Sequence, residues 1–173
     1  MDSAAYIAAA PLIAAAALLV YAAASDARRY LIPNWVSVAL VLLFAPYALL
    51  SPAPADWQGG LIVAGIAFAV GLGLFSLRLV GGGDVKLIAA CALWAGFGLV
   101  LPFLVITSLA GGALALGLML ARTLVAKRRG VPASAAEGGV IPVMRQRVPY
   151  GLAIAAGGIF ILLRQLGALG LTF

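Results

Sequence analysis

Five acidic residues occur in this 173-residue chain: Asp2, Asp26, Asp56, Asp84 and Glu137. Two of them stand at the ends of long apolar runs. Asp26 closes the first run, in "SDARRYLIPN", and Asp84 opens the fourth, in "RLVGGGDVKL". Brought to one membrane face, they make a carboxylate pair able to activate water. Two neighbouring carboxyls do not both ionise easily, so one keeps its proton while the other takes one from water. That is the chemistry of an aspartyl protease. Each residue also has a plain structural reading: Asp84 as the N-cap of the next helix, and Asp26 as a partner of Arg28 or Arg29.

The residues before Asp84 bear on the choice. Gly81, Gly82 and Gly83 remove every side chain there, permitting unusual backbone angles and the close approach of another backbone. A protease must admit its substrate extended, because a helix hides the scissile carbonyl. A plain flexible turn is the alternative reading. The chain has no histidine and a single cysteine, Cys91. These counts exclude an internal disulfide and argue against a Ser-His-Asp triad and a multi-cysteine zinc site. No metal and no cofactor is expected, and Cys91 reads as a small buried hydrophobe.

The positioning elements follow from composition. Hydrophobic residues make up 65% of the chain and charged residues 9%, with mean hydropathy +1.19. A soluble domain is about half apolar and about a quarter charged, so this is a polytopic membrane protein. The apolar runs are long and lack the alternation of barrel strands, which makes the fold all-α. Runs cover residues 4–24, with Pro11 as a kink, then 35–50, 59–77, 87–121 and 150–169. A helix over 87–121 would be roughly 50 Å long, against a hydrocarbon core of about 30 Å. It should split near "GFGLVLP", at Gly96, Gly98 and Pro102, giving six transmembrane helices in one domain spanning 1–173.

The basic residues then set orientation. Arg28, Arg29, Arg78 and Lys86 flank the first and third connections, and Arg122, Lys127, Arg128, Arg129, Arg145 and Arg147 fall in the fifth. The positive-inside rule puts these on the cytoplasmic face, with both termini outside. Asp2 and Asp56 then lie outside. The stretch 122–149 reads as a flexible basic cytoplasmic loop touching anionic lipid. A net charge of +6 therefore points to membrane lipids and not to nucleic acid. "YAAAS" resembles a signal-peptidase site, but the preceding "MDSAAY" is acidic and two arginines follow, so no cleaved signal is expected.

Three motifs carry a resemblance. "GGGDVKL" fits G-x-G-D-x-K-L, "DARRYLIPN" fits D-x5-I-P-N, and "RVPYGLAIAAG" resembles a Pro-[Tyr/Phe]-Gly helix start. In this order they resemble the type IV prepilin peptidases, which belong to the G-x-G-D intramembrane aspartyl proteases. The resemblance implies that Asp26 and Asp84 are the catalytic dyad. It implies cleavage of prepilin and pseudopilin leaders after a glycine, at the cytoplasmic face of the bacterial inner membrane. The larger family members carry an insert with two CxxC pairs and also N-methylate the pilin. With one cysteine and a short first loop, this chain looks like the short tight-adherence (Flp-pilus) form that does not methylate.

Supporting roles are expected for several residues. Lys86 either holds a substrate carboxylate, steadies the dyad, or serves as a positive-inside anchor. Pro33 and Asn34 set the turn into the second helix, with Asn34 capping it. Pro149, Tyr150 and Gly151 shape the cavity wall, with the Tyr150 hydroxyl near the dyad. Three alternatives stay open: an archaeal-type preflagellin peptidase, a proton-coupled transporter using the same carboxylates, and a non-enzymatic pilus assembly factor.

Overall fold

The structure, a computed structural model, describes residues 3–52, 55–128 and 148–170. The described residues form five α-helices: α1 Ser3–Arg29, α2 Asn34–Leu50, α3 Trp57–Ser76, α4 Gly82–Arg128 and α5 Tyr150–Ala168. The described residues include no strand, and the fold is all-α as expected. α1, α3, α4 and α5 are long and apolar enough to cross a bilayer, while α2 is a shorter apolar helix. Apolar side chains cover the outside as well as the core. α3 exposes Leu61, Ile62, Ile66, Phe68, Val70 and Leu72, a face suited to hydrocarbon and not to water. The chain is a multi-pass membrane protein.

The long fourth run does break where glycines weaken it. Gly96 takes φ 55° and ψ −166°, a region open almost solely to glycine. It divides α4 into an arm over 82–95 and an arm over 97–128, so the described helices form six segments. A side chain at Gly96 would also collide with Asp56, whose Oδ2 lies 2.9 Å from the position of an added Cβ. Asp56 fixes the bend. Its carboxylate accepts from the Gly59 amide at 2.9 Å, capping α3, and from the Phe97 amide at 3.1 Å, capping the second arm. On the other side of the break, Gln165 Nε2 donates to the Trp94 carbonyl. Asp56→Ala should therefore lower stability by roughly 1–2 kcal/mol, seen as a lower thermal midpoint in detergent, with Asp56→Asn largely retained. An unchanged midpoint for the alanine variant would show that these bonds do not hold the bend.

The 82–95 arm is the centre of the bundle. Val85, Leu87 and all of residues 90–96 are buried, and α4 packs against α2, α3 and α5. Trp94 stands against Phe44 and Tyr47, with ring centroids 5.5 and 5.2 Å away, and donates to the Leu40 carbonyl at 3.0 Å. Small residues let helices close on one another, as is usual in membrane bundles. A Cβ at Gly158 would stand 2.7 Å from Leu19 Cδ1 and 3.1 Å from Cys91 Sγ. Cys91 is a buried free thiol.

Two helix ends differ from the sequence reading. α1 runs through Arg29, so Asp26 belongs to its last turn and the connection to α2 shrinks to 30–33. α4 runs on to Arg128, past the expected start of the polar loop at 122, because residues 118–129 contain neither Gly nor Pro and are mostly good helix formers. Most of the expected flexible loop, 129–147, lies outside the described residues.

Candidate active site

Asp84 sits in the first turn of α4. The first helical bond there runs from the Val85 amide to the Gly81 carbonyl at 3.1 Å, and the Asp84 carboxylate turns back toward Gly81. Asp84 thus lies inside the helix, three residues past Gly81, and not at the N-cap position considered from sequence. Each of the three glycines faces a different neighbour. An added Cβ at Gly81 would stand 2.9 Å from Asp84 Oδ2, at Gly82 3.3 Å from the Phe75 ring, and at Gly83 3.2 Å from Ile32 Cβ. None of the three has positive φ. The triplet is there for close approach, not for unusual dihedrals.

Asp26 is buried, 6% exposed. Its Oδ2 accepts from the Gly151 amide at 2.6 Å. Pro149 precedes α5 without a side-chain cap, so one of the helix's unpaired N-terminal amides meets the Asp26 carboxylate. A Cβ at Gly151 would lie 2.9 Å from both Cβ and Oδ2 of Asp26. Glycine is thus required sterically. The contact from the Pro-Tyr-Gly segment to Asp26 belongs to the Gly151 amide and not to Tyr150. Tyr150 is half-exposed and stands beside Gly111. Neither Arg28 nor Arg29 pairs with Asp26 among the described residues.

The segment 30–33 joins the two acids. Tyr30 closes α1 at φ 52°, its amide donating to the Asp26 carbonyl at 2.8 Å, and Ser25 Oγ donates to the Leu31 carbonyl at 2.8 Å. Ile32 is buried and abuts Gly83. Pro33 occupies the N-cap of α2, and no side chain caps that helix. Asn34 is already helical, one position too late to cap it. Its Oδ1 instead accepts from Lys86 Nζ at 3.0 Å, tying the start of α2 to the start of α4. Lys86 makes no ion pair with either aspartate among the described residues.

These parts surround one cavity of about 1300 Å³, lined by Asp26, Asp84, all three glycines, residues 30–34, Arg78 and Tyr150. The two carboxylates are close enough for their charges to interact. Small-molecule pockets run to about 1,000 Å³, so this one has room for an extended peptide. Its far wall comes from the 97–128 arm, through Thr107, Ser108, Gly111 and Gly112, which the sequence reading took for plain span. The small residues of "VITSLAGGA" were the available signal. Arg78 and Tyr30 were also missed as wall residues, because one was read as a topology charge and the other as loop.

A family model described as the type IV leader peptidase family matches residues 13–116, from the middle of α1 into the second arm of α4. The chain belongs to the type IV leader peptidase family. The matched stretch includes Asp26, Pro33, Asn34, residues 81–84 and Lys86, and it ends before α5. No curated protein and no solved structure matches the chain. Membership in the leader peptidase family makes the chain a peptidase whose substrates are of the prepilin type.

Proposed function

We propose that the protein is an aspartyl endopeptidase, with Asp26 and Asp84 as its catalytic pair, that removes the leaders of Flp-type prepilins and pseudopilins. What chiefly supports this reading is a single arrangement: both carboxylates line one cavity, at the start of α4 and the end of α1, with Asp26 held by the Gly151 amide of α5. One carboxylate takes a proton from water as the water oxygen attacks the scissile carbonyl carbon. The other gives its proton to the carbonyl oxygen. As the C–N bond breaks, the first passes the proton it took from water to the leaving amine, and the second regains its own from the collapsing gem-diol. The glycine triplet lines the cavity and lets Phe75 and Ile32 close on the start of α4, which sets Asp84 in the cavity wall.

The cavity opens at the C-terminal ends of α1 and α3 and the N-terminal ends of α4 and α5. Arg28, Arg29, Arg78 and Lys86 cluster in this region, which by the positive-inside rule supports a cytoplasmic-face site, and the family resemblance makes the membrane the bacterial inner one. All six helical segments then cross, with both termini outside. The resemblance implies basic leaders, and this face is basic too, so bulk electrostatics does not capture the substrate. The apolar helix of the pilin instead docks laterally between spans. With one cysteine and only residues 30–33 joining α1 to α2, this chain has no methyltransferase insert at that position and releases an unmethylated pilin. The test is co-expression with a Flp-type prepilin, followed by N-terminal sequencing and mass measurement of the product. A single new terminus just after the leader glycine, unmethylated, is expected. An intact prepilin, or a cut elsewhere, would contradict the reading.

A further inference from the structure

Two residues other than glycine take positive φ among the described residues, Tyr30 at 52° and Arg78 at 59°. Each ends a helix that leads to the cavity, and each lines that cavity. At Arg78 the ending is a Schellman turn: its amide donates to the Phe75 carbonyl at 2.9 Å, and the Leu79 amide donates to the Leu74 carbonyl at 3.0 Å. Glycine is the usual occupant of that left-handed position, because any Cβ is crowded there. Strain of this sort gathers at functional sites.

Orientation in the membrane does not account for it. A positive-inside charge would serve equally at position 79, where Leu79 is 69% exposed. Nor does folding, since the Arg78 guanidinium makes no hydrogen bond or ion pair with any described residue. Lys86, the other cation near Asp84, is occupied by Asn34. A guanidinium is a planar fork suited to gripping a carboxylate through two parallel bonds.

We propose that Arg78 determines specificity in the peptidase site by holding an acidic side chain of the substrate peptide. This rests on the peptidase reading above. Arg78 and Asp84 are six residues apart, which bounds their separation at about 20 Å. An extended substrate covers that span in about six residues, so the acid stands within that distance of the scissile bond.

The test uses the full chain in phosphatidylcholine nanodiscs and a set of leader-junction peptides. A single glutamate is moved through about six positions on either side of the cut, and each peptide is paired with its glutamine counterpart. At one position the wild type should prefer glutamate by roughly tenfold to a hundredfold in kcat/KM, the worth of a hydrogen bond to a charged group. Arg78→Gly should abolish the preference while raising the thermal midpoint or leaving it unchanged, since it relieves the backbone. Arg78→Glu should transfer the preference to a lysine peptide. The same preference in Arg78→Gly, or none at any position in the wild type, would overturn the inference. Cleavage by the wild type but not by Asp84→Asn is read in the same assay, and its absence would count against the peptidase reading alone. Peptide affinity measured in the Asp84→Asn background, with and without Arg78→Gly, still decides the role of Arg78.

Discussion

Asp26→Asn or Asp84→Asn should leave the protein in the membrane and lower its cleavage of a leader-junction peptide by roughly 10³-fold or more. Asparagine keeps the size of the side chain and, at position 26, an oxygen for the Gly151 amide that holds it. What it loses is the ability to take or give the proton. The change is therefore chemical and not architectural, and thermal midpoints should move little. Asp56→Asn provides the control. Asp56 caps α3 and the second arm of α4, at the opposite end of α3 from the cavity, and its asparagine variant should cleave at close to the wild-type rate. Rates come from product formation by mass spectrometry, with membrane fractionation to confirm insertion. A rate above about a tenth of wild type in either single variant would remove that residue from the pair, since proton transfer by a positioned side chain is worth at least about 10²-fold.

The second large effect is expected at Gly151. A Cβ there would stand 2.9 Å from two atoms of Asp26 and 3.1 Å from a third, Cγ, closer than packed atoms tolerate. Gly151→Ala must push the start of α5 away from Asp26 or turn the carboxylate aside, and Gly151→Val adds further bulk. Either displacement stretches the 2.6 Å bond that orients the carboxylate. Misplacement of a reacting group by about 1 Å is worth about 10²-fold in rate, and Gly151→Ala should lose at least that much in kcat. Gly65→Ala is the matched control. Gly65 also lies in a helix, but nothing stands within 4 Å of its added Cβ, and cleavage should be unchanged. Equal activity in the Gly151 and Gly65 variants would show that the α5 amide does not position Asp26.

Much of this architecture was legible in the residues. Long apolar runs gave the all-α membrane fold, and the glycines and proline of "GFGLVLP" marked the bend that occurs at Gly96. Sparse acid made Asp26 and Asp84 conspicuous, and both line the cavity. The remainder was hidden for a physical reason. In a soluble helix the buried face is betrayed by its hydrophobic periodicity, whereas here lipid and core are both apolar. Nothing but the small residues at 107–112 distinguished the cavity wall from the lipid face of the second arm. The Asp26–Gly151 bond joins residues 125 positions apart, and no local pattern foretells it. Asn34 read as a helix cap because its type suits one, but Pro33 takes that place and leaves Asn34 to Lys86. Arg78 counted as a topology charge until its backbone angle and its place in the cavity wall were visible together.

The central claim is that the two aspartates act as one unit, and a double-mutant cycle tests it most directly. Single-turnover rates for one leader-junction peptide would be measured with the wild type, Asp26→Asn, Asp84→Asn and the double variant. A shared mechanism predicts strong non-additivity, because removing either partner already disables the other. The double variant should then be no slower than the slower single variant. Losses that multiply, so that the double variant is slower by the product of the two single effects, would mean that the aspartates contribute independently, and the paired-carboxylate account would be wrong.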